Sequence, residues 1–173
     1  MLAIEKFLGI WTLIGSVEIQ EELPEVDADW NYWFENASSE QIQSVRPVKG
    51  LTLTIRDDST FSEKLSGKPN VYWFHSEGYL SDTVEPFSGS VNFYNDTAYL
   101  LPFEARLDYK PDDKRLRADG DMEISEQISI IDNQLVRTVN VVTDGFQLDR
   151  VVMVYERGVE KTSLITWFLS LFK

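Results

Sequence analysis

ISEQISIIDNQLVRTVNVVTDGFQLDRVVMVYER, the stretch from Ile124 to Arg157, decides the fold class. It divides into three β-prone runs, Ile124–Ile131, Leu135–Val142 and Phe146–Arg157, with turn residues Asp132-Asn133 and Asp144-Gly145 between them. Asp-Gly suits the positive φ values of a tight hairpin, and such short turns join antiparallel neighbours only. The pattern is therefore an antiparallel meander rather than a series of βαβ units.

Upstream, the same grammar repeats. Leu51–Arg56 turns at Asp57-Asp58-Ser59 into Phe61–Leu65, and Val91–Tyr94 turns at Asn95-Asp96 into Ala98–Phe103. Gly9–Ile19 and runs around Val71–Leu80 and Ser88–Tyr94 bring the expected total to about eight to ten strands, the range in which a closed barrel leaves room for one small ligand. The expected fold is all-β, an antiparallel up-and-down barrel. Residues 104–120 are too charged to be placed.

Composition fits one domain over residues 1–173. The chain is 43% hydrophobic, enough for a full core, and no Pro/Gly/Ser-rich linker divides it. Asp and Glu number 29 against 16 Lys and Arg, a net charge of −13. That balance repels phosphate backbones and anionic headgroups, so nucleic acid is excluded as a partner. The absence of cysteine removes disulfides, thiolate metal sites and a cysteine nucleophile together. Glu5 and Lys6 interrupt any signal-peptide core at the amino end, and no window reaches the ~20 apolar residues of a membrane span. The expected location is cytoplasmic, without an integral membrane segment.

Two segments break the β pattern. Residues 21–40 contain seven acids and no Lys or Arg, yet hold Trp30, Tyr32, Trp33 and Phe34. Either they form an amphipathic cap over the barrel mouth, or they are an acidic loop whose rings plug the barrel end. Residues 161–173 form a strongly apolar tail, helical from Leu164 onward, expected to pack on the barrel wall or, through a homodimer, on a second subunit. A membrane foothold is the weaker option, because only Lys161 and Lys173 flank the tail.

The two ends of the chain carry a family resemblance. Gly9-Ile10-Trp11 near the start, with Arg150 and Val154-Tyr155-Glu156-Arg157 in the last strand, resembles the calycin superfamily of lipocalins and fatty-acid-binding-like proteins. The resemblance to lipocalins implies that Trp11 closes the barrel floor and that Arg150 lies across it, a structural role shared with Gly9. A guanidinium stacked on an indole, with its N–H groups given to nearby carbonyls, makes physical sense of the pair. The resemblance to fatty-acid-binding proteins implies a lid after the first strand, where residues 21–40 sit, and an Arg-x-Tyr carboxylate clamp in the last strand. Here that stretch reads Met153-Val154-Tyr155, so the clamp lacks its arginine unless another cation, such as Arg137, reaches inside.

Strand parity leaves the lining open. Arg150, Val152 and Val154 share one face of the last strand, and Val151, Met153, Tyr155 and Arg157 the other; both carry apolar residues, and a bulge would exchange them. Arg137 alternates with Leu135, Val139 and Val141 and is either an anion receptor or a paired structural ion. Catalysis has little support. His75 is the only histidine, no serine has a nucleophile-elbow context, and Asp57-Asp58 and Asp112-Asp113 belong to turns. No metal site or phosphate-cradling loop is read; haem ligation by His75 is a minor option, because Gly9–Ser16 lacks the longer glycine-rich opening of small haem-binding barrels, and no cofactor is expected.

The leading expectation is non-covalent binding or transport of a small hydrophobic molecule, lined by Trp30, Trp33, Tyr72, Trp73, Arg137, Met153 and Tyr155. Two alternatives stand beside it. One is a chromophore lyase or isomerase of bilin type on a lipocalin-like barrel; the other is a barrel filled by its own side chains and serving as a protein-interaction module.

Overall fold

In the computed structural model the chain closes into a ring of eight antiparallel strands. The structure describes residues 4–22, 37–66, 73–74, 80–81, 87–102, 108–109, 116–117, 122–143 and 147–158. The barrel strands are β1 (Gly9–Glu22), β2 (Leu51–Ile55), β3 (Thr60–Leu65), β4 (Ser88–Tyr94), β5 (Thr97–Pro102), β6 (Met122–Ile131), β7 (Gln134–Thr143) and β8 (Gln147–Arg157). Each pairs with its predecessor, and β8 returns to pair with β1 along most of its length. Closure leaves none of the eight strands as an unpaired edge, which is the physical reward of a barrel over an open sheet.

The two ends of this ring differ. At one end the connections β2–β3, β4–β5 and β6–β7 are tight, and positive φ values at Ser59, Asn95, Asp132 and Asn133 supply the hairpin geometry. At the other end lie the long connections 23–50, 66–87 and 103–121, with the short link 144–146 between β7 and β8. The short turns thus form a floor, and the opposite end is the mouth.

Short elements decorate the frame. Arg46–Pro47 adds to β1, and Asp108–Tyr109 with Leu116–Arg117 extends the sheet beside β6. Helix α1 (Ser39–Gln43) is held by a capping box, in which Ser38 and Gln41 satisfy each other's backbone N–H groups. No described helix is long and apolar enough to cross a membrane.

Parity within the strands sorts the core into two layers. Leu53, Ile55, Phe61, Ile128, Leu135 and Tyr155 are among the side chains that fill the lumen with Trp11. Outside the wall, Val136 and Val152 pack with Ala37, Val17, Ile19, Ile42 and Val45, so the stretch around α1 covers β1, β7 and β8 from without. The switch that allows this is a bulge in β1: Leu13 pairs with Tyr155, but Gly15 already pairs with Val154. One extra residue reverses every side chain beyond it. Val17 and Ile19 therefore face outward beside Val152 and Arg150, while Ser16 and Glu18 come to lie opposite the luminal Met153 and Val151.

Several expectations are corrected here. Within the run around Val71–Leu80, the described residues Trp73–Phe74 and Leu80–Ser81 pair with each other in a separate two-stranded ladder and not in the barrel; the rest of the run lies outside the described residues. Glu21 and Glu22 belong to β1, paired with Leu148 and Gln147, so the β pattern does not break at residue 21. The remainder of the acidic aromatic segment up to residue 36, and the tail 161–173, lie outside the described residues.

Candidate functional site

The lumen is crossed by an ion pair. Arg137 on β7 and Glu63 on β3 stand on opposite sides of the ring, four strands apart in either direction, and Arg137 Nη1 donates to Glu63 Oε1. A second carboxylate reaches the same guanidinium from the neighbouring strand β6, where Glu126 Oε1 accepts from Arg137 Nε. Tyr155 on β8 completes the group, its hydroxyl 3.4 Å from Arg137 Nη1 and 3.6 Å from Met153 Sδ. The other oxygen of Glu63 accepts from the Phe87 backbone N–H at 3.0 Å.

Local sequence explains why these groups point inward. Phe61-x-Glu63-x-Leu65 and Leu135-x-Arg137-x-Val139 each place one ionised residue on an apolar alternation, and period-2 geometry delivers it to the lumen with its neighbours. Arg137 and Glu63 have no exposed side-chain surface, and the Glu126 side chain is 5% exposed. Buried charges persist only when paired and hydrogen-bonded, and this set satisfies that condition through one cation shared between two acids.

The electrostatics follow from burial. Desolvation pushes the Glu63 carboxyl above the usual range, although Arg137 and the Phe87 N–H pull it back. Desolvation also raises Glu126, to about 7, with Arg137 opposing and Glu63 adding to the rise. Burial works against the Arg137 charge, but the two carboxylates outweigh it and hold the guanidinium protonated well above its ordinary value. Tyr155 is raised too, chiefly by burial, and stays a neutral phenol.

Of the residues expected to line a site, Arg137, Met153 and Tyr155 come together in this cluster. Trp30, Trp33 and Tyr72 lie outside the described residues, and Trp73 is described only as backbone. Glu63 and Glu126 were not anticipated, although a lone acid within an apolar alternation was the signal for both. The mouth side differs from the floor side in solvent access: Glu18, at a luminal register opposite buried Val151, is exposed.

At the floor the expected tryptophan closure is present with a different cation. Trp11 is buried and its indole N–H donates to the Phe7 carbonyl at 2.7 Å. The guanidinium over the ring belongs to Arg157, which stands opposite Trp11 in the ladder, and not to Arg150. Arg150 lies on the outward face opposite Ile19, where its Nε donates to Asn140 Oδ1 at 2.7 Å and Asn140 in turn donates to Ser125. Two facts separate the arginines: they differ in parity along β8, and only Arg157 is in register with residue 11. Gly9 has φ +115, and a Cβ there would sit 3.4 Å from Arg157 Nη1.

No family model matches the chain, and no curated protein matches it. Among solved structures it is similar to apo lipid binding protein 8 of Caenorhabditis elegans, with TM-score 0.42 and 12% identity over 91% of this chain and 99% of that one. It is also similar to fatty-acid-binding protein 1 of Echinococcus granulosus (TM-score 0.38, 13% identity, 90% and 99% covered) and to zebrafish ileal bile acid-binding protein complexed with cholic acid (0.36, 13%, 88% and 99%). The barrel itself is established by the strand ladder, independently of these overlaps. By its closed antiparallel meander and its tryptophan floor, the chain is an eight-stranded up-and-down β-barrel.

Proposed function

We propose that the barrel binds a small, predominantly apolar and uncharged molecule non-covalently, on the mouth side of the Arg137–Glu63 pair. The observation that carries this reading is the charge arrangement in the lumen. Arg137 is the cation that a carboxylate ligand would need, and two internal carboxylates already occupy it. An incoming fatty-acid anion would have to displace one of them and leave it buried and unpaired, which costs several kcal/mol. An alcohol, ketone or hydrocarbon meets no such penalty, and apolar side chains supply its burial energy.

The difference between the ends supports the same reading. Tight hairpins and Trp11 seal the floor, whereas the long connections and exposed Glu18 mark the mouth as the side of access. A specific observation also favours a second reading, the filled barrel acting as an interaction module. Leu53, Ala98, Leu100, Ile128, Val139 and Met153 have no exposed surface, so the described lumen is packed by side chains at their level.

Displacement of a fluorescent apolar probe by a long-chain alcohol and by the fatty acid of equal length separates the readings. The proposal expects the alcohol to compete at lower concentration than the acid. Preference for the acid, abolished in Arg137→Ala, would show that Arg137 releases its internal partners to clamp an anion. Failure of the probe to bind at all favours the filled barrel, and native mass spectrometry of the freshly purified protein checks that outcome by looking for a retained ligand.

A further inference from the structure

We infer that Glu126 and Glu63 together form a proton-binding site inside the barrel, holding one proton between them so that Arg137 faces one carboxylate and one neutral carboxyl. The inference is independent of any ligand, since every group it uses is a side chain of the protein itself. It begins with counting. Two carboxylates and one guanidinium sum to a net negative charge in a buried place, where an unbalanced charge is far more costly than at the surface. Among the described residues, Arg137 from β7, Glu63 from β3 and Tyr155 from β8 are the titratable groups that face Glu126, and the neighbouring strand β5 brings the apolar Ala98 and Leu100 into the same core.

A proton relieves the imbalance more easily than any other change. It requires no new cation and no movement of the strands, and the protonated carboxyl remains a hydrogen-bonding group. Glu126 is the better holder of the proton. Glu63 takes the Phe87 N–H as well as Arg137, and a donor aimed at a carboxylate favours its charged form. Burial raises both acids, and Glu126 is held at about 7 against an ordinary value of 4.5. The two acids titrate as a coupled pair, so the proton belongs to the site rather than to one oxygen.

The consequence for stability has a definite sign. Between about 4.5 and about 7 the folded chain carries a proton that the unfolded chain has released. Folding is therefore linked to proton uptake, and this site's contribution to stability is fully present below the unfolded value and lost as pH rises through the folded one. Its share of the unfolding constant rises by up to tenfold per pH unit across that window, on the order of a hundredfold in all. Above it the share is constant.

Infrared spectroscopy of the carboxyl stretch, with urea unfolding followed in parallel, tests the site. At about pH 6 the wild type should show a protonated carboxyl that disappears as the pH is raised past about 7. Both Glu126→Gln and Glu63→Gln should abolish it, because the acid left behind then has Arg137 to itself and stays ionised. The ratio of the wild-type unfolding constant to that of Glu126→Gln should climb with pH through the window and then level. A wild type without a protonated carboxyl at about pH 6, or a band that survives in both variants, overturns the inference. If Glu126→Gln does not fold, Glu63→Gln and the wild-type spectrum decide by the same criteria.

Discussion

Arg157 lies over the indole of Trp11, its guanidinium carbon 4.6 Å from the ring centroid, while its two terminal nitrogens donate to the carbonyls of Leu8 and Lys6 at 2.9 and 2.8 Å. One side chain of the last strand thus ties down the turn that precedes the first strand and covers the ring that seals the floor. The Gly158 N–H continues the clasp to Ile10 O at 2.8 Å. Chain closure in this barrel is therefore a matter of side chains as well as of the β1–β8 ladder.

Trp11→Ala should lower the unfolding free energy by about 3–5 kcal/mol in urea titrations, the range for truncating a buried large aromatic, and Trp11→Phe should cost less. Arg157→Ala should cost about 1–2 kcal/mol through the lost cation–π contact and carbonyl hydrogen bonds. Arg157→Lys recovers the charge but not the planar fork, so it should rescue only part of that loss. Equal, negligible effects of both Trp11 variants would remove the floor anchor from the account.

Gly9→Ala should destabilise by about 1–3 kcal/mol, because φ +115 is a region that side-chain-bearing residues rarely adopt. The thermal midpoint measures it. A shift close to zero would mean that the backbone at the start of β1 rearranges without cost.

The frame of the barrel was legible because its signals are local. Asp132-Asn133, with two positive φ values, marks its hairpin outright, and the alternation in β6–β8 fixes three neighbouring strands. What escaped depends on register between distant segments. Residues 150 and 157 are both arginines of one strand, and only the β1–β8 ladder tells which of them meets Trp11. The extra residue at the Leu13–Gly15 step has one local mark, a glycine inside the strand, and that mark alone does not show that Val17 and Ile19 turn outward to make the second, external core. Glu63 was readable as an acid on an apolar face; that it reaches Arg137 across the lumen requires ring closure, which no local pattern encodes.

On the outer wall, Asn140→Ala removes the acceptor from the buried Arg150 Nε and the donor to Ser125 Oγ. A loss of about 1–3 kcal/mol is expected, as for a buried polar group that loses a hydrogen bond. Arg150→Ala should leave the floor intact, so the pair of variants separates this contact from the Trp11 clasp. Near-ultraviolet circular dichroism reports whether the indole environment changes; a change in Arg150→Ala as large as that in Arg157→Ala would contradict the geometry.

The strongest dependence should lie in the ion cluster that spans the lumen. Arg137→Met removes the cation and leaves Glu63 and Glu126 buried without it, and breaking a buried pair from one side costs about 3–5 kcal/mol. The remaining acids can recover part of this by taking up protons, so the loss should be larger at high pH than at low pH. Replacing all three together, Arg137→Met with Glu63→Leu and Glu126→Leu, removes the charges and their desolvation at once, and should restore most of the stability lost by the single change. The restored fraction is the informative quantity, because Arg137 and Glu63 sit on opposite strands and their link crosses the lumen. A triple variant as unstable as Arg137→Met alone would mean that the cluster holds the barrel's shape by its specific geometry rather than by charge balance, and that an apolar lumen cannot take its place.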